Sequence, residues 1–152
     1  MRIVPFKQVD VFTKVPYRGN PVAVILDGEG LSDAQMQQLA AWTNLSETTF
    51  VLPPTQPGAD YRVRIFTPRQ ELSFAGHPSV GTAHAVLEAG WARQHDHLLV
   101  MECAAGALPI AIEGDGAERR IAVQAPPAEI GETDLTLAVG LAKALRARGI
   151  TL

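Results

Sequence analysis

Three short segments place reactive side chains inside otherwise apolar stretches: Gly19-Asn20-Pro21, Asn44-Leu45-Ser46-Glu47-Thr48 and Gly76-His77-Pro78-Ser79-Val80-Gly81-Thr82. Glu47 stands where a helix has ended and an apolar strand begins. Burial beside apolar neighbours disfavours the charge of a carboxylate, and general-base catalysis near neutral pH uses that effect. The same position suits a solvated loop glutamate, or a partner for Arg62 or Arg64, and spacing alone leaves these readings open. His77 falls at the start of a helix. Imidazole moves protons near physiological pH, free amides at a helix start bind anions such as carboxylates, and Gly76 lets a ligand approach the backbone. A histidine there can equally serve only as a cap, because every helix start needs polar partners.

The other candidates are weaker. The stretch from Gly76 to Gly81 is bounded by glycines but lacks the Lys and Ser/Thr of a phosphate loop. His84 lies seven residues beyond His77, about two helical turns, so a metal hydrolase built from His77, His84 and Glu47 is one competing reading, although no HExxH set is present. Ser46 and Ser79 lie outside any GxSxG elbow. His95 and His97 flank Asp96 in a loop of solvated residues. Cys103, the single cysteine, has no internal disulfide partner, and its position at a strand end suits a small buried apolar residue.

The elements that must position these groups follow from the pattern. Ile3–Thr13 and Val22–Leu26 read as strands, joined by a turn at Tyr17-Arg18-Gly19-Asn20-Pro21. Ser32 and Gln35 form a capping box for a helix reaching about Thr43, with Met36, Leu39 and Ala40 as its apolar stripe. Thr48–Leu52 is a strand, and Tyr61–Thr67 alternates Tyr61, Val63 and Ile65 against Arg62 and Arg64, as a half-buried strand does. Glu71–Phe74 is a short further strand. His77–Ala89 is apolar nearly all round and carries almost no charge before Glu88, which predicts a buried helix, with Pro78 in its first turn and Gly90 at its end. Leu98–Cys103, Leu108–Glu113 and Arg119–Gln124 form a meander with turns at Ala104–Ala107 and Gly114–Gly116. A last helix spans Leu135–Arg148, with Arg146 and Arg148 near its negative end and Gly149 just after. Strands and helices do not alternate regularly, so the expectation is α+β: a curved antiparallel or mixed sheet wrapped around the His77–Ala89 helix.

Composition bounds the function. The 152 residues suit one domain, with residues 1–125 forming sheet and central helix and residues 126–152 a loop and terminal helix. Hydrophobic residues at 47% and charged residues at 19% fit a soluble globular protein. No run approaches the roughly 18 apolar residues of a membrane span, and the N-terminus shows no signal peptide, so the expected location is the cytoplasm. A formal net charge of −3 with scattered basic residues speaks against nucleic-acid binding.

Read together and in this order, the segments resemble the PhzF-like family of phenazine biosynthesis. The resemblance is carried by Asp10-Val11-Phe12-Thr13, Gly19-Asn20-Pro21-Val22-Ala23-Val24, Asn44-Leu45-Ser46-Glu47-Thr48-Thr49-Phe50-Val51, Arg64-Ile65-Phe66-Thr67-Pro68, Glu71-Leu72, Phe74-Ala75-Gly76-His77-Pro78 and Gly81-Thr82-Ala83. It runs from about residue 3 to residue 103 and then fades. It implies a fold like diaminopimelate epimerase, in which two similar halves each roll a sheet around a central helix and enclose the site between them. It also implies a cofactor-free, metal-free isomerase acting on a small molecule, such as a cyclic amino acid of the dihydro-hydroxyanthranilate type. By resemblance Glu47 is the base, His77 holds substrate or assists proton movement, and Asn20, Ser46 and Gly76 lie near the substrate. With Cys103 outside the site motifs, the two-thiol mechanism of epimerases sharing this fold does not apply. Family members are nearly twice as long, so the expectation is a single N-terminal half that pairs as a homodimer; the alternative is a ligand-binding remnant without turnover.

Overall fold

The structure, a computed structural model, describes residues 3–127 and 135–146. Among the described residues eight strands and three α-helices follow one another as β1 (Phe6–Val11), β2 (Asn20–Ile25), α1 (Asp33–Thr43), β3 (Glu47–Leu52), β4 (Tyr61–Phe66), β5 (Glu71–Leu72), α2 (Gly76–Glu88), β6 (Leu98–Cys103), β7 (Gly106–Glu113), β8 (Arg120–Val123) and α3 (Leu135–Arg146), with one 3-10 turn at Gly116–Glu118. All eight strands belong to one sheet in the order β1-β2-β3-β4-β6-β7-β8, with β5 paired to β4.

The sheet is mixed, the second of the two arrangements expected. β2 pairs with β3 in parallel, and β4 pairs with β6 in parallel. Each parallel pair has a helix in its connection, α1 in the first and α2 in the second, because a chain must travel the length of a strand to re-enter in the same direction. The other pairs are antiparallel, including the predicted meander β6-β7-β8. The turn between β6 and β7 is tighter than expected: only Ala104 and Ala105 form it, and Gly106, at φ 114°, already opens β7. Of the expected last helix, Arg148 and Gly149 lie outside the described residues.

Helix α2 packs against β1, β2, β3 and β8. The strands at both ends of the sheet order thus reach the same helix, so the sheet is rolled around it. Small residues permit this approach. A methyl at Gly81 would stand 2.5 Å from Val22 Cγ1 and 2.8 Å from Val11 Cγ2, so α2 can rest on β1 and β2 only without a side chain there. Overpacking of this kind typically costs about 1–3 kcal/mol.

Helix α1 lies against β3 and β4 on the other face. Its predicted capping box is present: Gln35 N donates to Ser32 Oγ at 3.3 Å, and Ser32 N donates to Gln35 Oε1 at 2.9 Å. Two apolar clusters result. Val22, Val24, Val51, Val63 and Ile65 meet α2, whereas Ile25, Phe50, Leu52 and Phe66 meet Met36 and Ala40 of α1. Strands sandwiched on both faces read as continuous apolar runs, which is why β2 lacks alternation. Among the described residues no helix is long and apolar enough to cross a membrane.

Candidate active site

The strand period of two decides which way Glu47 faces. Val51 belongs to the cluster on the α2 side, and Glu47 and Thr49 precede it by four and two residues, so all three share that face. Glu47 is delivered by the end of α1. Asn44 caps that helix in the left-handed region at φ 55°, a conformation asparagine tolerates, and its amide donates to Ala40 O at 3.3 Å. Leu45 and Ser46 then turn the chain into β3, where Glu47 is level with Val22 of the parallel β2.

His77 arrives from the opposite direction. β4 runs antiparallel to β3 and turns at Thr67–Gln70, where Thr67 Oγ1 accepts from the amides of Arg69 and Gln70. β5 folds back onto β4 and is held there by Arg64, whose guanidinium donates twice to Glu71 and once to Asp33 at 2.6–2.7 Å. The Glu71 hydrogen bonds outweigh burial and, with Asp33, raise the Arg64 pKa above its ordinary value. Residues 73–75 then lead into α2.

These two routes place His77 Nδ1 at 3.3 Å from Glu47 Oε2, with the side chains 11% and 16% exposed. Neither Glu47 Oε2 nor His77 Nε2 has a hydrogen-bond partner, although both atoms are buried. Buried polar groups are nearly always satisfied, so two unmet atoms on adjacent side chains set this pair apart from the rest of the core. The start of α2 is bare as well. Its N-cap is Ala75, which offers no capping oxygen, and no acidic residue occupies the first turn. A Cβ added at Gly76 would meet nothing within 4 Å, so the space over the helix start is open. A carboxylate, a histidine and a helix start without a side-chain cap together suit proton transfer on a small anionic molecule.

The other expected residues fall into place unevenly. Asn20 opens β2 opposite Val11, at the same end of the sheet as Glu47. Ser46 and Gly76 are exposed beside the pair. Gly19 is fixed by packing, since a Cβ there would stand 2.2 Å from Val11 O. Arg64 spends its charge on Asp33 and Glu71 and leaves Glu47 to His77. Ser79 donates to Ala75 O at 2.7 Å and is fully buried. His84 turns to Glu88 at 3.6 Å and lines a groove of about 500 Å3 between β1, α2 and β8 that includes neither Glu47 nor His77. The metal trio of His77, His84 and Glu47 therefore does not assemble. Asp96 and His97, both at positive φ, form the two central residues of a tight turn closed by His95 and Leu98. Cys103 is buried, and burial pushes its thiol pKa up.

Sequence reasoning passed over Thr49 and Thr82. Thr49 Oγ1 and Thr82 Oγ1 lie 2.8 Å apart, and both residues are fully buried. Their signal was present as two hydroxyls inside apolar segments, but nothing in the sequence shows that the two meet.

The model of the PhzC-PhzF family, described as phenazine biosynthesis-like protein, matches residues 9–148. The likeness therefore continues well past residue 103, where the motif reading has it fade. Antisense-enhancing sequence 1 of Schizosaccharomyces pombe is 54% identical over 110 residues, which cover 72% of this chain and 37% of that protein. Trans-2,3-dihydro-3-hydroxyanthranilate isomerase of Pseudomonas fluorescens is 48% identical over 105 residues, covering 69% of this chain and 36% of the enzyme. The crystal structure of a Bacillus anthracis phenazine biosynthesis protein of the PhzF family superposes with a TM-score of 0.71 at 38% identity, over 80% of this chain and 40% of that one. The chain spans about half the length of the curated relatives it matches.

Proposed function

The chain belongs to the phenazine biosynthesis-like (PhzC-PhzF) family, and from that premise we propose that it carries the acid–base pair of an isomerase that shifts a proton within a small carboxylate-bearing substrate. Glu47 takes a proton from one carbon, the electrons left behind delocalise into an adjoining unsaturated bond, and the proton returns at a carbon further along. No electron is gained or lost, and the step calls for no redox partner. His77 faces the Glu47 carboxylate with Nδ1, 3.3 Å away, and offers Nε2 to the substrate. The uncapped start of α2 receives the substrate carboxylate, with Asn20, Ser46 and Gly76 around it. A cyclic amino acid such as the dihydro-hydroxyanthranilate in the name of the Pseudomonas relative is the first candidate.

One observation carries this reading: two buried, unpartnered polar atoms, Glu47 Oε2 and His77 Nε2, on side chains 3.3 Å apart. The test is turnover of trans-2,3-dihydro-3-hydroxyanthranilate by the chain and by its Glu47→Gln variant. Loss of turnover by at least two orders of magnitude, with an unchanged melting temperature, is the expected result. Activity within a fewfold of the parent would remove Glu47 as the base.

The proposal includes a second copy of the chain over the site. The β1–β2 loop at this end of the sheet exposes Phe12 and Tyr17 at 73% and 97%, with Val15 beside them. Several large apolar side chains exposed on one loop favour association. Light scattering across a concentration series should show a dimer, and a monomer at the highest concentration would remove this part of the reading. The buried free thiol suits a reducing compartment such as the cytoplasm. The exposure of Ser46 and Gly76 beside the pair favours the second reading, a protein that binds the same ligand without turning it over. Binding of the ligand with no turnover in the dimer would select that reading.

A further inference from the structure

Glu47 belongs to β3 and His77 to α2, so the distance between them follows from how the helix is seated on the strand. We propose that Thr49 and Thr82 are positioning residues, whose buried hydroxyl pair sets the register of α2 on β3 and thereby the geometry of Glu47 and His77. This inference rests on the reading of Glu47 and His77 as the working pair.

Spacing carries the first part of the argument. Thr49 lies two residues beyond Glu47, about 7 Å along a strand. Thr82 lies five residues beyond His77, about 7.5 Å along a helix. Measured along each element the two contacts are about equally spaced, so the Thr49–Thr82 contact and the Glu47–His77 contact belong to one seating of α2 on β3. Gly81, one residue before Thr82, supplies the close seat on Val22 and Val11, and Val22 is the β2 residue in register with Glu47.

Hydrogen-bond direction carries the second part. Thr82 Oγ1 donates its single proton to Pro78 O at 2.7 Å. In the 2.8 Å contact Thr49 is therefore the donor and Thr82 the acceptor. A chain of bonds thus runs from β3 through two hydroxyls to the carbonyl of Pro78, the residue next to His77. The alternative acceptor for Thr49, Ala23 O, stands at 3.4 Å, near the limit of a hydrogen bond. Both threonines lie in segments that carry the family resemblance, yet the proton-transfer step uses neither.

The test reads the imidazole of His77 by NMR in the full chain, with the melting temperature of each variant measured alongside. Glu47→Gln calibrates the assay by showing how far the ring signals move when the carboxylate is lost. Thr82→Val keeps the shape and removes the hydroxyl; it should move the His77 signals most of the way to their Glu47→Gln positions although Glu47 is still present. Thr82→Ser should restore the parent signals. Thr49→Val breaks the same contact from the strand side and serves if Thr82→Val does not fold. Parent-like His77 signals in a folded valine variant, even one with a lowered melting temperature, would make the pair merely structural and overturn the inference. If Glu47→Gln itself leaves His77 unmoved, the working pair is absent, and the proposed function falls together with this inference.

Discussion

Two glutamates lie half or fully buried in the same sheet, and the chain treats them in opposite ways. Glu102, in β6, is 4% exposed and accepts from Thr55 N at 2.6 Å, from Gln56 N at 3.0 Å and from the Thr55 hydroxyl. Glu47, in β3, keeps one buried oxygen without a hydrogen bond and faces a histidine whose outer nitrogen is also unmet. The first carboxylate ties the 53–58 loop to the sheet; the second is held ready for something the chain does not itself contain. Both side chains are largely withdrawn from solvent, and the unmet atoms single out Glu47. Stability and function should therefore separate cleanly between them.

The largest effect expected is on turnover. In the Glu47→Gln variant, catalysis should fall by about 10²- to 10⁴-fold, the typical contribution of a positioned acid–base group. Stability should hold within about 0.5 kcal/mol in urea titrations, because the parent carboxylate has so few partners to lose. A large loss of stability at this position would erase the distinction between the two glutamates.

Glu102→Ala should do the reverse. Two backbone amides and a hydroxyl lose their acceptor in a buried place, and an unsatisfied buried donor costs about 1–3 kcal/mol. Unfolding in urea should register a loss of about 3 kcal/mol, near the upper end of that range, while His77 ring signals and any isomerase turnover stay as in the parent. Unequal effects of this size on a domain of ordinary stability are easy to resolve. Turnover that fell in proportion to stability would show the loop and the site to be coupled.

How much of this was legible in the sequence differs between the two glutamates. Glu47 could be singled out because it lies in a specific motif at a helix-to-strand junction, and the alternation of β4, the capping box of α1 and the apolar character of α2 were readable in the same local way. Glu102 sits in Leu-Leu-Val-Met-Glu-Cys as a lone acid in an apolar strand. That oddity hints at a buried carboxylate, but its donors lie 46 and 47 residues away, at Gln56 and Thr55. The parallel pairings escaped for the same reason: strand spacing does not say which neighbour a strand chooses when a helix intervenes. Thr49 and Thr82 are separated by 33 residues and meet only after the sheet has rolled around α2. Local pattern reveals which face is apolar; partnership across the fold becomes visible only in three dimensions.

The smallest effect, and the sharpest test of the contrast, lies in acid. Burial alone would raise the Glu102 pKa, but the hydrogen bonds from the Thr55 hydroxyl, Thr55 N and Gln56 N outweigh it, with Arg62 adding to them, and hold it below the usual carboxylate range. The sign follows from that direction. A carboxyl whose folded pKa lies below its unfolded value of about 4.3 contributes stability that is fully present above the unfolded value and is lost as pH falls through the folded one. The gap in unfolding free energy between the parent and Glu102→Gln should therefore stay constant from pH 7 down to about pH 5 and narrow below about pH 4.3. Urea titrations at pH 7, 5, 4 and 3 measure it directly. A gap that stayed level to pH 3 would mean that the hydrogen bonds to Glu102 do not favour its charged form, and that the 53–58 loop is held by something other than that carboxylate.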